Sequence, residues 1–481
     1  MKFSRQLFGL IAGPLLFYYV YAVADFEGLT PQGQAVLATV FWMAVYWVTE
    51  AIPIAATGLL PIVLFPLTGS LPLSETTAAF GDQFIFLFLG GFFLAIAIEK
   101  WQLHKRIALS IIALVGTNPN KILLGFMLAT AFLSMWISNT AAVVMLLPVG
   151  MAIVQQMRHA GNEANWQPFG KALMLAIAYA ASIGGMATLI GTPPNLVLAG
   201  VIKSSYGVEV SFVDWFVFAA PICLVLLIAC WFYLSRLAFR FDALAIPGGA
   251  DEIRDQLKAL GRLHGPEARV LIVFVSMAFM WVSRSFLWAD LIPGISDTVI
   301  AIAGSMLLFI LPGNGGKALL EWNDTEKLPW GIIILFGGGM ALAQGFESTG
   351  LALWIGQQFT SLEGISVLLL LLLVIAGVNF LTEVTSNLAT TAMLLPVLVA
   401  IAAQLEVHPF LLLVGATLAA SCAFMLPVAT PPNAVVFGSG YLRINDMVKA
   451  GFFMNLVSIA VLTAAIYWVL PLLWELPALQ P

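Results

Sequence analysis

The chain has 481 residues, 61% of them hydrophobic and only 9% charged. That balance excludes a water-soluble globular domain and puts the chain among polytopic membrane proteins. A formal charge of −5 leaves no basic patch for nucleic acid, and Cys223, Cys230 and Cys422 lie in apolar runs without zinc or redox spacing.

Lys2 and Arg5 precede an apolar run, Leu7 to Ala24. Ala22-Val23-Ala24 resembles a signal cleavage site, but the run is longer than a signal core and many spans follow, so a retained first span is favoured. Further spans of roughly 20 apolar residues are predicted by hydropathy. They lie near Gly33–Thr49, Ile54–Leu67 and Gln83–Ile98. Two apolar arms follow, Ile122–Ile137 and Ala141–Met157, meeting at a polar tip. The fifth span, Ala172–Val201, is broken at Thr192, and the sixth is Phe212–Leu234. A polar connector, Arg240 to Arg269, contains Pro247-Gly248-Gly249 and an amphipathic segment, Asp251–Leu263. Then come Val270–Trp288, Thr298–Leu311 and Trp330–Ile355. A second pair of arms, Ile365–Leu381 and Leu388–Gln404, precedes a tenth span, Pro409–Phe437, broken at Thr430, and an eleventh, Gly451–Leu473.

The tips repeat. Ser138-Asn139-Thr140 leads into Met145-Leu146-Leu147-Pro148-Val149, and Ser386-Asn387-Leu388 leads into Met393-Leu394-Leu395-Pro396-Val397, an offset of 248 residues. The same offset aligns Leu87-Phe88-Leu89-Gly90-Gly91 with Leu335-Phe336-Gly337-Gly338-Gly339, and Glu99 with Glu347. Each tip is followed downstream by Thr-Pro-Pro-Asn, at Thr192 to Asn195 and Thr430 to Asn433. With the amino terminus inside, 18 of the 20 Lys and Arg residues fall on the cytoplasmic side, all but Lys203 and Arg284. The two copies then run in opposite senses, a recurrent plan of secondary transporters. Parity leaves open whether the arms cross fully or are re-entrant. The paired glycines are expected to let helices pack closely.

Broken helices in hydrocarbon must line a cavity or be buried in protein. Ser and Asn before a helical run suit capping positions, where N–H groups and the helix dipole favour an anion. Thr can cap while proline opens the next helix. Freed carbonyls, with Ser, Thr and Asn side chains, suit a hard monovalent cation. No Lys or Arg occurs between Lys121 and Arg158, Lys171 and Lys203, or Lys327 and Arg443. A dianion held at these breaks therefore lacks a cationic side chain from its own segments, and uncompensated buried charge costs several kcal/mol. Bound cations would supply the balance, which makes co-transport with Na+ coherent. Glu383 is the one titratable group near a tip; its alternatives are a functional role and a hydrogen-bonded structural carboxylate.

Ser138-Asn139-Thr140, the run Leu381 to Asn387, and the run Ala423 to Asn433 closely resemble the divalent anion:sodium symporter (DASS) family of di- and tricarboxylate carriers, across essentially the whole chain. The resemblance implies an all-α polytopic membrane protein of inverted-topology repeats, eleven transmembrane helices plus two re-entrant hairpins. It implies a homodimer in the lipid bilayer, an elevator-like movement, and Na+ as co-transported ion rather than prosthetic group. The units expected are scaffold spans over 1–120 and 270–363, transport halves over 121–240 and 364–481, and a cytoplasmic connector over 241–269. One Na+ site maps onto Ser134, Ser138, Asn139 and Gly191, the other onto Thr382, Thr385, Ser386, Asn387 and Ala429. Substrate carboxylates would meet Asn139, Thr140, Thr192, Asn387 and Thr430, with Pro431 as a packing contact. Leu388 departs from the family, many of whose members carry Thr there; the lost hydroxyl weakens a simple succinate preference, and an apolar residue stands there in some citrate-preferring relatives. Exchangers of this resemblance carry basic side chains in place of sodium; none is visible beside either tip.

The expected function is Na+-coupled symport of dicarboxylates of the succinate, fumarate and malate class across the plasma membrane (a bacterial inner membrane), amino terminus inside and carboxyl terminus outside. The alternatives are a Na+-independent exchanger and a Na+-coupled citrate symporter. A channel or intramembrane enzyme is disfavoured, since no Ser–His, Asp–Asp or His–Glu pair stands at helical spacing within a span.

Overall fold

The structure is a computed structural model, and it describes residues 2–116, 118–159, 163–241, 249–263, 265–360 and 364–474. It is all-α: helices follow one another through the chain, with only a single isolated bridge, Pro312 to Ala318, among the described residues. Among the described residues eight helices are long and apolar enough to cross a membrane, and five shorter apolar helices accompany them. The chain is thus a polytopic membrane protein.

Local chemistry sets the helix ends. Pro31 opens helix Pro31–Thr49, and the Thr30 hydroxyl accepts from the Gly33 amide at 3.0 Å. Asp82 caps Gln83–Lys100 through the Phe84 amide, 2.8 Å, and Asn118 caps Pro119–Ser134 through the Lys121 amide, 2.8 Å. Helix Glu163–Gly185 and helix Pro409–Ala420 form the middle of the molecule. Their apolar residues from Ala172 to Ala181 and from Leu411 to Ala420 are almost wholly buried. A helix that is apolar on every side has to be wrapped by others. The outer helices instead show apolar faces: Phe8 is 65% exposed and Ile272 64%, as lipid contact requires.

Several elements depart from the sequence expectation. The third span is two pieces, Ile54–Thr57 and Leu60–Thr68, because Pro61 begins a new helix. The long ninth span ends at Ser348, and Leu351–Gln358 is a separate helix after Gly350 at φ 75°. A helix absent from the sequence reading, Leu103–Val115, follows Gln102 at φ 56°. These two short helices begin 248 residues apart, after left-handed residues also 248 apart, so they belong to the repeat. Of the connector, Gly249–Ala259 is helical, whereas Pro247 and Gly248 lie outside the described residues.

The first arms, Pro119–Ser134 and Val367–Leu381, have 16 and 15 residues. At about 1.5 Å per residue they reach about 24 Å and 22 Å, short of a hydrocarbon core about 30 Å thick. The paired glycines are packing residues. A Cβ on Gly90 would lie 2.7 Å from the Ala301 Cβ, and one on Gly338 would lie 2.3 Å from the Gly58 carbonyl oxygen.

Candidate functional site

At the first tip, helix Pro119–Ser134 stops and helix Asn139–His159 begins five residues on. The Ser138 hydroxyl accepts from the Ala141 amide at 3.2 Å, the capping bond expected of it. Asn139 does something else. Its Oδ1 accepts from the Ser134 hydroxyl at 2.5 Å, and that hydroxyl also meets the Ala181 carbonyl at 2.7 Å. The tip is thereby tied to the buried helix behind it. That helix ends at Gly185, and the chain is unwound until Pro193, a wider break than the single point expected at Thr192. The Asn195 amide group donates to the Gly185, Met186 and Thr188 carbonyls at 3.4, 3.2 and 2.8 Å. Trp215 Nε1 donates to Met186, 2.9 Å, and the Thr188 hydroxyl to Met135, 2.6 Å.

Oxygens crowd this break. A Cβ on Gly191 would lie 2.5 Å from the Gly185 oxygen, 3.0 Å from the Ser134 oxygen and 3.0 Å from Thr188 Oγ1; one on Gly185 would lie 2.6 Å from Asn139 Oδ1. Ser134, Asn139 and Gly191 are therefore neighbours, with Gly185 and Thr188 as oxygen bearers that the sequence reading did not name. Neutral carbonyl, hydroxyl and amide oxygens are the donor set of a hard cation.

The second tip repeats the tie between its Asn side chain, a hydroxyl and the buried helix behind it. The Thr382 hydroxyl donates to Asn387 Oδ1, 2.8 Å, and to the Ala420 carbonyl, 2.9 Å. Helix Pro409–Ala420 then unwinds until Pro431. Asn433 donates to the Ala423 and Leu426 carbonyls, both 3.1 Å, as Asn195 does to Gly185 and Thr188 in the first copy. The Thr430 hydroxyl caps through the Asn433 amide at 3.3 Å. Thr192 and Ser386 stand at the corresponding caps without a side-chain capping bond, so only half of the expected caps form. The Thr385 hydroxyl turns back to Leu381, 2.8 Å, and meets Thr390, 2.6 Å.

Glu383 has a definite structural task. It is 3% exposed, and its carboxylate accepts from the Phe424, Met425 and Leu426 amides at 2.8 to 3.1 Å and from Asn455 Nδ2 at 2.8 Å. The buried carboxylate thus holds the unwound stretch of the second copy, which Tyr179 also grips through the Phe424 carbonyl at 2.8 Å. A carboxylate has two acceptor oxygens with several lone-pair sites and can satisfy several N–H groups at once. Of the two alternatives for Glu383, the hydrogen-bonded one is what the geometry displays.

Both tips and both Thr-Pro-Pro-Asn loops line one cavity of about 1020 Å³. Asn139, Thr140, Thr192, Asn387, Leu388, Thr430 and Pro431 all lie on its wall, as do Ser138, Gly191, Thr385, Ser386 and Ala429. Ser134 and Thr382 are buried one step behind, bonded to the two Asn side chains. Among the described residues one basic side chain reaches this wall, Arg5, from the first helix. It stands with Gln6, Thr49 and Glu50, and its guanidinium donates to the Val48 carbonyl. It lies 133 residues from Ser138 in the chain, outside the segments that flank the tips. Trp136 also lines the cavity, stacked 6.0 Å from Phe212 and 6.4 Å from Trp281.

A helical membrane protein whose paired bends and paired unwound loops meet around one central cavity has the architecture of a secondary transporter. The chain belongs to the sodium:sulfate symporter family, whose model, described as "Sodium:sulfate symporter transmembrane region", matches residues 5–474. It is 46% identical over 486 residues, 99% of this chain and 93% of the relative, to a Staphylococcus saprophyticus protein named sodium-dependent dicarboxylate transporter SdcS. A protein of the same name from Staphylococcus aureus strain USA300 is 46% identical over 488 residues, 99% of this chain and 94% of that relative. This membership agrees with the resemblance carried by the tip motifs.

Proposed function

We propose that the chain is a Na+-coupled symporter of C4-dicarboxylates, with the dianion held between the two tips and Na+ held in the oxygen-rich breaks beside them. The observation that carries this reading is the shared cavity: four helix breaks face it with neutral oxygens and amides, and no basic side chain belongs to any of them. Helix termini offer about half a unit of charge each, so accompanying cations complete the balance. The names of the two relatives support the same ion and the same class of solute.

In this reading Asn139, Thr140, Thr192, Asn387 and Thr430 meet the carboxylates, and Pro431 packs against the solute. Ser134, Ser138, Asn139 and Gly191 serve one Na+, and Thr382, Thr385, Ser386, Asn387 and Ala429 the other. The units 121–240 and 364–481 carry the site, against a scaffold of 1–120 and 270–363 joined by the connector 241–269. The charge distribution supports an amino terminus in the cytoplasm, a carboxyl terminus outside, and residence in the plasma membrane. The inverted arrangement, eleven spans, the homodimer and the elevator-like displacement rest on sequence pattern and family resemblance.

Labelled succinate should accumulate in proteoliposomes above its equilibrium level when an inward Na+ gradient is imposed, and fall to background when K+ replaces Na+. Uptake indifferent to Na+ but dependent on internal dicarboxylate would instead favour an exchanger. Leu388 is buried and lines the cavity where a hydroxyl would add a polar contact. That favours a second arm to the same assay, in which citrate competes with succinate.

A further inference from the structure

A second cavity, of about 1120 Å³, adjoins the first and shares Phe92, Ser138, Thr140, Pro329 and Ile332 with it. Among the described residues its charged lining is Lys100, Lys105 and Lys327 against one carboxylate, Glu99. The described lining of the first cavity holds one cation and one carboxylate, Arg5 and Glu50. The two chambers therefore differ in sign: the tip cavity is formally neutral, the adjoining one positive.

Lys100 is engaged, 2.6 Å from Asp324. Burial alone would raise the Asp324 carboxyl, yet the Lys100 ammonium and the Glu321 amide hold it below its ordinary value. Lys105 and Lys327 are exposed, and among the described residues neither is in an ion pair within 4.0 Å, although Lys327 acts through space on the Glu99 and Asp324 carboxylates. Both chambers are built from helix ends that chain order brings to one face. These are the start of the first helix at Arg5, the end of Pro31–Thr49, the end of Gln83–Lys100, and the approach to Trp330. Ser138 and Thr140 stand in the wall common to both chambers, so an anion leaving the first tip on this side comes next to the lysines. A cleft of one sign between low-dielectric walls focuses the field and concentrates counter-ions. Exposed ammonium groups are screened by salt, so they hold an anion weakly and release it.

We propose that the chamber of Lys105 and Lys327 is a second, weak site for the same dicarboxylate, which loads and unloads the tip cavity on the face carrying the amino terminus. This rests on the reading of the tip cavity as the dicarboxylate site. The test compares the full-length parent with the double variant Lys105→Gln/Lys327→Gln in phosphatidylcholine vesicles sorted for orientation, a lipid with no anionic headgroup to compete. Labelled succinate is offered at the amino-terminal face, with Na+ fixed and choline chloride varied. The double variant should show a KM about fivefold above the parent at low ionic strength, converging with it at high salt. Its kcat and Na+ dependence should match the parent, and Lys105→Arg/Lys327→Arg should restore the parental KM. Indistinguishable KM values and salt profiles for the Gln variant and the parent would overturn the proposal. The single variants give the same test should the double one reconstitute poorly. Loss of Na+ dependence in the parent itself would instead count against the symport reading.

Discussion

Asn139→Ala and Asn387→Ala are each expected to reduce Na+-driven succinate uptake by at least about 100-fold while leaving folded protein in the membrane. Each Asn is one of a matched pair with its Oδ1 fixed by a hydroxyl, Ser134 at 2.5 Å and Thr382 at 2.8 Å. The Asn139 amide is shared between the cavity wall and the adjoining oxygen cluster, and the Asn387 amide lies on the same wall. Truncation removes a contact to charged solute, worth about 1.5–3 kcal/mol, and leaves the Ser134 or Thr382 hydroxyl without one of its acceptors. At about 1.4 kcal/mol per factor of ten, the solute contact alone accounts for about 10- to 150-fold. Disorder in the ion site adds to that. Uptake measured beside size-exclusion profiles separates this outcome from misfolding. Activity within about threefold of the parent in both variants would remove the tips from the site.

Glu383→Gln is expected to be almost as damaging, by a different route. The carboxylate is acceptor-only and satisfies three main-chain amides and Asn455 at once. A glutamine offers one acceptor oxygen and turns an N–H2 group toward donors. Each buried amide left unpaired costs about 1–3 kcal/mol, and the stretch from Ser421 to Thr430, which carries Ala429, would relax away from Asn387. The variant should therefore melt at a lower temperature and lose most Na+-driven uptake, with the apparent Na+ affinity weakened more than the succinate KM at saturating Na+. A variant with parental thermal stability and Na+ dependence would contradict the anchoring role.

The tips and the Thr-Pro-Pro-Asn loops were legible because a repeat declares itself in sequence: matching motifs, 248 residues apart for the tips and 238 for the loops, need no knowledge of distant partners. The extent of unwinding was not. Met186 to Thr192 and Ser421 to Thr430 read as apolar span because the groups that satisfy their freed backbone come from elsewhere in the chain. Trp215 reaches Met186, and Tyr179 and Glu383 reach Phe424. Helix Leu103–Val115 escaped notice because it is short and amphipathic, with His104, Lys105 and Arg106 in its first turn, so no hydropathy window marks it. The break at Gly350 follows the polar run Glu347-Ser348-Thr349, but the long apolar stretches beyond that run on both sides, Trp330 to Phe346 and Leu351 to Ile355, read as one span. Arg5 belongs to the cavity only through tertiary packing, where chain neighbours give no hint.

The central claim is that a dicarboxylate rests at the two tips because Na+ rests beside it. Succinate binding to purified protein, titrated calorimetrically in NaCl and in choline chloride at equal ionic strength, tests this most directly. Linkage requires that the ions and the dianion raise each other's affinity. Affinity should climb steeply with Na+ concentration and vanish in choline. Equal affinity in the two salts would mean that some other charge, Arg5 foremost, compensates the dianion, and the account would fail.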